Sequence, residues 1–167
     1  MMEKQNRIYG FPPIVDENSK VLILGSMPSV QSLEKEEYYG NQQNYFWPML
    51  YALFQENYTL NYQEKKQFIL RHQLALWDVV ASCERNGSLD SNIIQETTQN
   101  FQDFFVKYPQ IKVICFNGGK AYQLFRKYYK DILQTKEYYQ LPSTSPAYTL
   151  AKEEKLKKWQ IICSLVK

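Results

Sequence analysis

Val21-Leu22-Ile23-Leu24-Gly25-Ser26-Met27-Pro28-Ser29 decides the architecture. Four consecutive apolar residues stopped by a Gly and a Pro read as a strand buried on both faces, its C-terminal end running into a loop. Such strands belong to parallel sheets, and the ligand crevices of open α/β sheets lie beyond their C-terminal ends. Shortly after comes Tyr38-Tyr39-Gly40-Asn41-Gln42-Gln43-Asn44-Tyr45-Phe46-Trp47. This aromatic, amide-rich segment suits stacking on a nucleobase and hydrogen-bonding its edges, and it holds no obvious nucleophile.

Working outward, apolar runs predict further strands over 76–80, 111–116 and 138–141. Helical spacing predicts helices over 46–54, with Pro48 in the first turn, and over 63–74. Thr98 is read as the cap of a helix that Pro109 stops. Two more helices are expected over 120–129 and 152–166, a polar turn over 85–92, and a loose end over 1–6. Strands alternating with helices imply an α/β fold: three α/β/α layers around a central, mostly parallel, four-stranded sheet. At 167 residues, with no repeat or long linker, residues 1–167 are read as one domain.

Composition narrows the chemistry. Net charge is +3, too mild to identify a nucleic-acid binder unless the basic residues cluster on one face. Three widely spaced cysteines, Cys83, Cys115 and Cys163, include no Cys-x-x-Cys, which argues against a disulfide framework or zinc site. Four-Cys iron–sulfur ligation is excluded by count. The lone histidine, His72, falls in a predicted helix, so Ser-His or Cys-His nucleophilic catalysis is not expected. With no signal-peptide pattern and no membrane-length apolar run, the expectation is a cytoplasmic protein without membrane contact.

These segments together resemble the uracil-DNA glycosylase superfamily, which opens its site with a strand ending in Gly-x-x-Pro, then an aromatic residue and Asn-x-Phe-Trp. Gly25-Ser26-Met27-Pro28, Tyr39 and Asn44-Tyr45-Phe46-Trp47 keep that order and spacing. Leu141-Pro142-Ser143-Thr144-Ser145-Pro146-Ala147-Tyr148 is similar to the superfamily's minor-groove loop. The motifs resemble most closely the hypoxanthine (deoxyinosine) DNA glycosylase branch. The resemblance implies a monofunctional, cofactor-free, monomeric enzyme acting on a damaged or mispaired base in double-stranded DNA, with base flipping before cleavage.

It also implies roles. Asn44 is the catalytic candidate, since its amide both donates and accepts; the bland alternative is a helix cap just ahead of Phe46. Asn41 is held in reserve. Tyr39 stacks on the base, with Phe46 as a wall, while Gly25, Ser26, Met27 and Pro28 shape the floor. Ser143, Thr144 and Ser145 contact phosphates, with Ala147 and Tyr148 where some relatives carry a bulky wedge. Two departures stand out. Met27 occupies the place where uracil enzymes commonly hold a catalytic Asp or Asn, and the loop lacks their His. Asp78 and Asp90 are read as supporting groups, Asn117 as a cap or a site edge, and the lysines of 152–158 as a solvated helix face. Two alternatives stay open: a mismatch-type uracil or xanthine glycosylase, and a catalytically silent DNA- or nucleotide-binding module.

Overall fold

The central run does form a strand buried on both faces, and the sheet grows around it. In the computed structural model, which describes residues 7–167, the elements run as follows. They are β1 (Ile8–Tyr9), β2 (Val21–Gly25), α1 (Val30–Lys35), α2 (Phe46–Leu53), α3 (Tyr62–Arg71), β3 (Leu74–Asp78) and β4 (Val80–Glu84). Then come β5 (Ile94–Thr98), α4 (Phe101–Lys107), β6 (Val113–Asn117), α5 (Gly119–Leu133), β7 (Glu137–Leu141), α6 (Lys152–Trp159) and α7 (Ile161–Leu165). The expected loose end over 1–6 lies outside the described residues.

Four strands make a wholly parallel sheet in the order β3-β2-β6-β7. Every residue of β2, β3 and β6 is buried, as sheets covered on both faces require. The covering helices sort into two aromatic clusters. Phe46 of α2 meets Trp159 of α6 edge-on, and Tyr51 of α2 stacks on Phe68 of α3. Elsewhere Phe101 of α4 packs against both Trp77 and Phe125 of α5. The result is the expected three-layer α/β/α architecture. Among the described residues no helix is long and apolar enough to cross a membrane.

The topology places the crevice. From β2 the chain moves to β3 on one side, then returns to β6 on the other. Loops leaving the ends of β2 and β6 therefore diverge, and open α/β sheets bind ligands at such a switch point.

Three expectations are corrected. The predicted strand over 76–80 is two strands: β3 ends at Asp78, where the Val79 N–H bonds to the Gly25 carbonyl, and β4 leaves for a second sheet. That sheet, antiparallel in the order β1-β4-β5, has no counterpart in the sequence pattern. Its edge strand β5 is Ile-Gln-Glu-Thr-Thr and largely exposed, so it carries no apolar alternation. Thr98 consequently ends a strand, and Asn100 caps α4 by accepting from the Asp103 N–H (3.0 Å). The terminal helix breaks at Gln160 into α6 and α7.

Candidate active site

The divergence of β2 and β6 opens a cavity of about 330 Å³, within the ~300–1,000 Å³ typical of small-molecule sites. Its floor is the end of β2. Ser26 donates to Asp90 Oδ1 (2.5 Å), tying the floor to the short turn 90–92. Beside it Asp78, the last residue of β3, is only 4% exposed. Burial and then the charge of Asp90 push its carboxyl up to about 7, with Arg85 opposing. Gly25 makes this geometry possible. A Cβ on it would lie 2.5 Å from Asp78 Oδ1 and 2.9 Å from Tyr39 Oη.

Tyr39 forms one wall. Its φ is +53°, a left-handed conformation rare for a residue with an aromatic side chain. What holds it there is visible: the ring stacks on Phe46 (centroids 3.9 Å, 24°), and its Oη accepts from Asn117 Nδ2 (3.0 Å). Phe46 is thus fully buried behind Tyr39 and is not a wall of the cavity; it backs the stacking ring.

Asn117 is the hub. The same Nδ2 donates to Thr144 Oγ1 (3.0 Å), and Oδ1 accepts from the Thr144 N–H (3.0 Å). The Thr144 carbonyl in turn accepts from the Tyr45 N–H (3.0 Å). One amide at the end of β6 therefore pins the stacking Tyr, the hydroxyl loop and, through Thr144, the start of α2. Gly118 makes room beside it, since its φ of +94° and the 3.1 Å from its Cβ position to Ser143 Cβ both resist a side chain.

Asn44 and Asn41 both line the cavity. Asn44 also closes a turn ahead of α2, its Oδ1 accepting from the Phe46 N–H (2.9 Å). The oxygen therefore has a structural partner, which leaves the amide nitrogen as the donor this side chain can offer a ligand. Asn41 Oδ1 is similarly engaged by the Gln43 N–H (3.0 Å). Ser143, Thr144, Ser145, Ala147 and Tyr148 border the cavity, with Tyr148 half-exposed at its lip. Met27 and Pro28 complete the floor with Gly25 and Ser26.

One lysine of the terminal run departs from the expected solvated face. Lys155 is buried, and its Nζ donates to the carbonyls of Ser145 (3.1 Å) and Tyr148 (2.8 Å). It clamps the C-terminal part of the loop, from Ser145 to Tyr148, onto α6. The run Lys-Glu-Glu-Lys-Leu-Lys-Lys hid it among solvent-facing neighbours. His72 caps the C-terminal end of α3, paired with Glu56 and stacked on Phe54, away from the cavity.

Gly25→Ala tests this packing. The methyl must displace the Asp78 carboxyl and the Tyr39 hydroxyl together, and overpacking of this kind costs about 1–3 kcal/mol. The expected result is a lowered Tm in thermal unfolding, with loss of whatever activity the cavity supports. An unchanged Tm would show that the two side chains move aside freely.

A family model of the Uracil DNA glycosylase superfamily matches residues 12–165. Two curated proteins, each named hypoxanthine DNA glycosylase, are similar to the chain. The one from Methanosarcina acetivorans is 37% identical over 156 residues, covering 92% of this chain and 96% of that protein. The one from Methanosarcina barkeri is 38% identical over 121 residues, covering 72% and 74%. A solution NMR structure from Methanosarcina acetivorans, named there as a candidate uracil DNA glycosylase, superposes with a TM-score of 0.84 at 33% identity. It covers 97% of this chain and 100% of that one. With the motifs, the sheet order and the cavity at the β2/β6 divergence in agreement, the chain belongs to the uracil DNA glycosylase superfamily.

Proposed function

We propose that the chain is a single-domain DNA repair glycosylase, spanning 1–167, that extrudes a deaminated base from double-stranded DNA and hydrolyses its N-glycosidic bond. Hypoxanthine is its principal substrate, and it acts as a cytoplasmic monomer. The carrying observation is the cavity at the divergence of β2 and β6, with a stacking aromatic on one wall, two asparagines beside it and the hydroxyl loop at its rim. The names of the two archaeal relatives support the choice of base.

The chemistry suits that inventory. N-glycosidic cleavage passes through an oxocarbenium-like sugar and an electron-rich departing base, as glycoside hydrolysis does. Tyr39 stacks on the flipped base, an interaction worth about 1–3 kcal/mol. The Asn44 amide nitrogen is a preorganised donor toward the charge that develops, while Asn41 lies near enough to share water orientation. Ser143 and Ser145 offer hydroxyl donors to the phosphates that flank the flipped nucleotide, the Ser145 N–H being bonded to Ser143 Oγ (3.1 Å). Met27 leaves the floor without a polar group where uracil enzymes commonly hold one, so wild-type excision of uracil is weak. A mispaired hypoxanthine costs less to flip than a paired base, which adds selectivity.

Excision from duplexes containing inosine, uracil or xanthine tests the proposal. Hypoxanthine should be released fastest and uracil slowest. Strong uracil release with none of hypoxanthine would establish the mismatch-type reading. DNA binding without release of any base would establish the silent module.

A further inference from the structure

Asp78 ends β3 against the cavity, with Oδ2 fully enclosed and without a hydrogen-bond partner. A buried carboxylate ordinarily gathers N–H donors or a cation, because an isolated charge there is costly. Arg85 is near but committed elsewhere. Its Nε donates to the Gly87 carbonyl (2.7 Å) and its Nη2 to that of Pro28 (2.6 Å), while Nη1 has no partner. Oδ1 lies over Gly25, 2.5 Å from the point where a Cβ would stand, and Tyr39 Oη is 2.9 Å from the same point. The carboxyl and the stacking ring thus meet over a residue that has no side chain to screen them from a bound base.

Resting on the glycosylase reading, we infer that Asp78 is a further catalytic residue: a neutral carboxylic acid that gives its proton to the departing base. The proton sits on Oδ1, leaving Oδ2 as a carbonyl oxygen, the form cheaper to bury unpaired. As the bond between C1′ and the base nitrogen breaks, its electron pair leaves with the base and the Oδ1 proton neutralises it. Water adds to C1′ and releases a proton that restores the acid.

The surroundings fit. Facing Asp78 are Asp90 from the turn 90–92, Arg85 beyond β4, Tyr38 and Tyr39 from the loop after α1, and Tyr62 from α3. Burial dominates and Asp90 adds to it, so the carboxyl holds its proton up to about pH 7. The other hydroxyl at that spot, Tyr39, is driven well above the ordinary phenol range by burial and is a poor proton donor. His72 is remote, and the hydroxyl loop carries no imidazole.

The test is the pH profile of single-turnover release, read on whichever base of the panel is released fastest. Wild-type rate should be level below about pH 7 and fall roughly tenfold per unit above it, as the acid ionises. Asp78→Asn keeps size and an N–H donor but has no transferable proton. It should be about ten- to a hundredfold slower at pH 6 and flat from pH 6 to 9. Asp78→Ala should be slower still, by about a hundred- to ten-thousandfold. Because the Asn variant removes a buried ionisable group, its Tm at pH 8 should equal or exceed wild type, which separates chemistry from misfolding. A descending limb that persists in Asp78→Asn, or wild-type rates in Asp78→Ala at pH 6, would overturn the assignment. Fast release of uracil instead of hypoxanthine, with this profile intact, would overturn only the choice of base. A wild type inactive on every base would overturn both.

Discussion

Asn44→Ala lowers single-turnover excision about a hundred- to a thousandfold, the usual loss for one preorganised donor, while DNA binding stays near wild type. The donor acts on charge that exists only in the transition state, so its loss raises the barrier without weakening the ground-state complex. Because Asn44 Oδ1 also accepts from the Phe46 N–H at 2.9 Å, the alanine variant loses a turn contact as well. Such capping losses cost about 0.5–2 kcal/mol, too little to unfold a domain of this size. Asn44→Asp separates the two roles. A carboxylate oxygen still accepts from Phe46, but no N–H remains to donate. Excision should stay as low as in the alanine variant while Tm recovers. If the Asn44→Asp variant regained excision along with Tm, the residue would act through its oxygen alone, and the donor role would pass to Asn41.

The sheet was legible because its signal is local. Val21–Gly25 and Val113–Asn117 are short apolar runs ended by Gly-containing turns, and burial on both faces is what such runs mean. The second sheet was illegible for the converse reason. Its strands β1 and β5 are short or polar, and it is held by distant groups: the Ile8 and Tyr9 pairings with β4, and the register of β4 on β5. Its middle strand β4 continues the apolar stretch of β3, so composition could not mark the break at Val79. The cavity walls were legible in part. Tyr39, Asn44 and the hydroxyl loop announce themselves by residue type and order. The connections that fix them do not, because Asn117 and Lys155 act across 27 and 10 residues through hydrogen bonds that no periodicity records. Phe46 shows the same limit. Its type suits a base-stacking wall, yet it sits behind Tyr39, and only packing distinguishes a ring that lines the cavity from one that backs it.

Asp78 shows that a departure from a family pattern can be spread over a site. Met27 removes a polar group from the floor, and the loop offers no imidazole. Both changes move the work of handling charge toward amides and toward a carboxyl that burial pushes up to about 7. A site of this kind depends on rigidity, because each remaining donor must already point at the place where charge appears.

That dependence makes Asn117→Ala the most damaging single change outside the reacting groups. Truncation removes all three of its hydrogen bonds: to Tyr39 Oη, to Thr144 Oγ1 and from the Thr144 N–H. Asn117 and Thr144 are both buried, so water cannot readily replace the lost partners. Leaving a buried donor or acceptor unpaired costs about 1–3 kcal/mol each, so a loss of about 2–5 kcal/mol in unfolding free energy is expected. The functional loss is separate from the stability loss. Tyr39 is held at φ +53° by its stacking on Phe46 and by this bond, and without the bond the ring is free to leave the wall. The hydroxyl loop also loses its anchor to β6 and keeps the Tyr45 bond, the Lys155 clamp and the bond from Trp159 Nε1 to the Pro142 carbonyl. Excision well below the unfolding temperature should fall about a hundredfold, as it does when catalytic groups shift by about 1 Å. Binding to damaged duplex should weaken in parallel, since both the stacking ring and the phosphate loop are affected. Asn117→Asp isolates the donor, because it retains the acceptor for the Thr144 N–H and loses both Nδ2 bonds. It should recover part of the stability and little of the activity. Full excision in Asn117→Asp would show that Tyr39 stays in place without its bond, leaving the Phe46 stack to hold it alone.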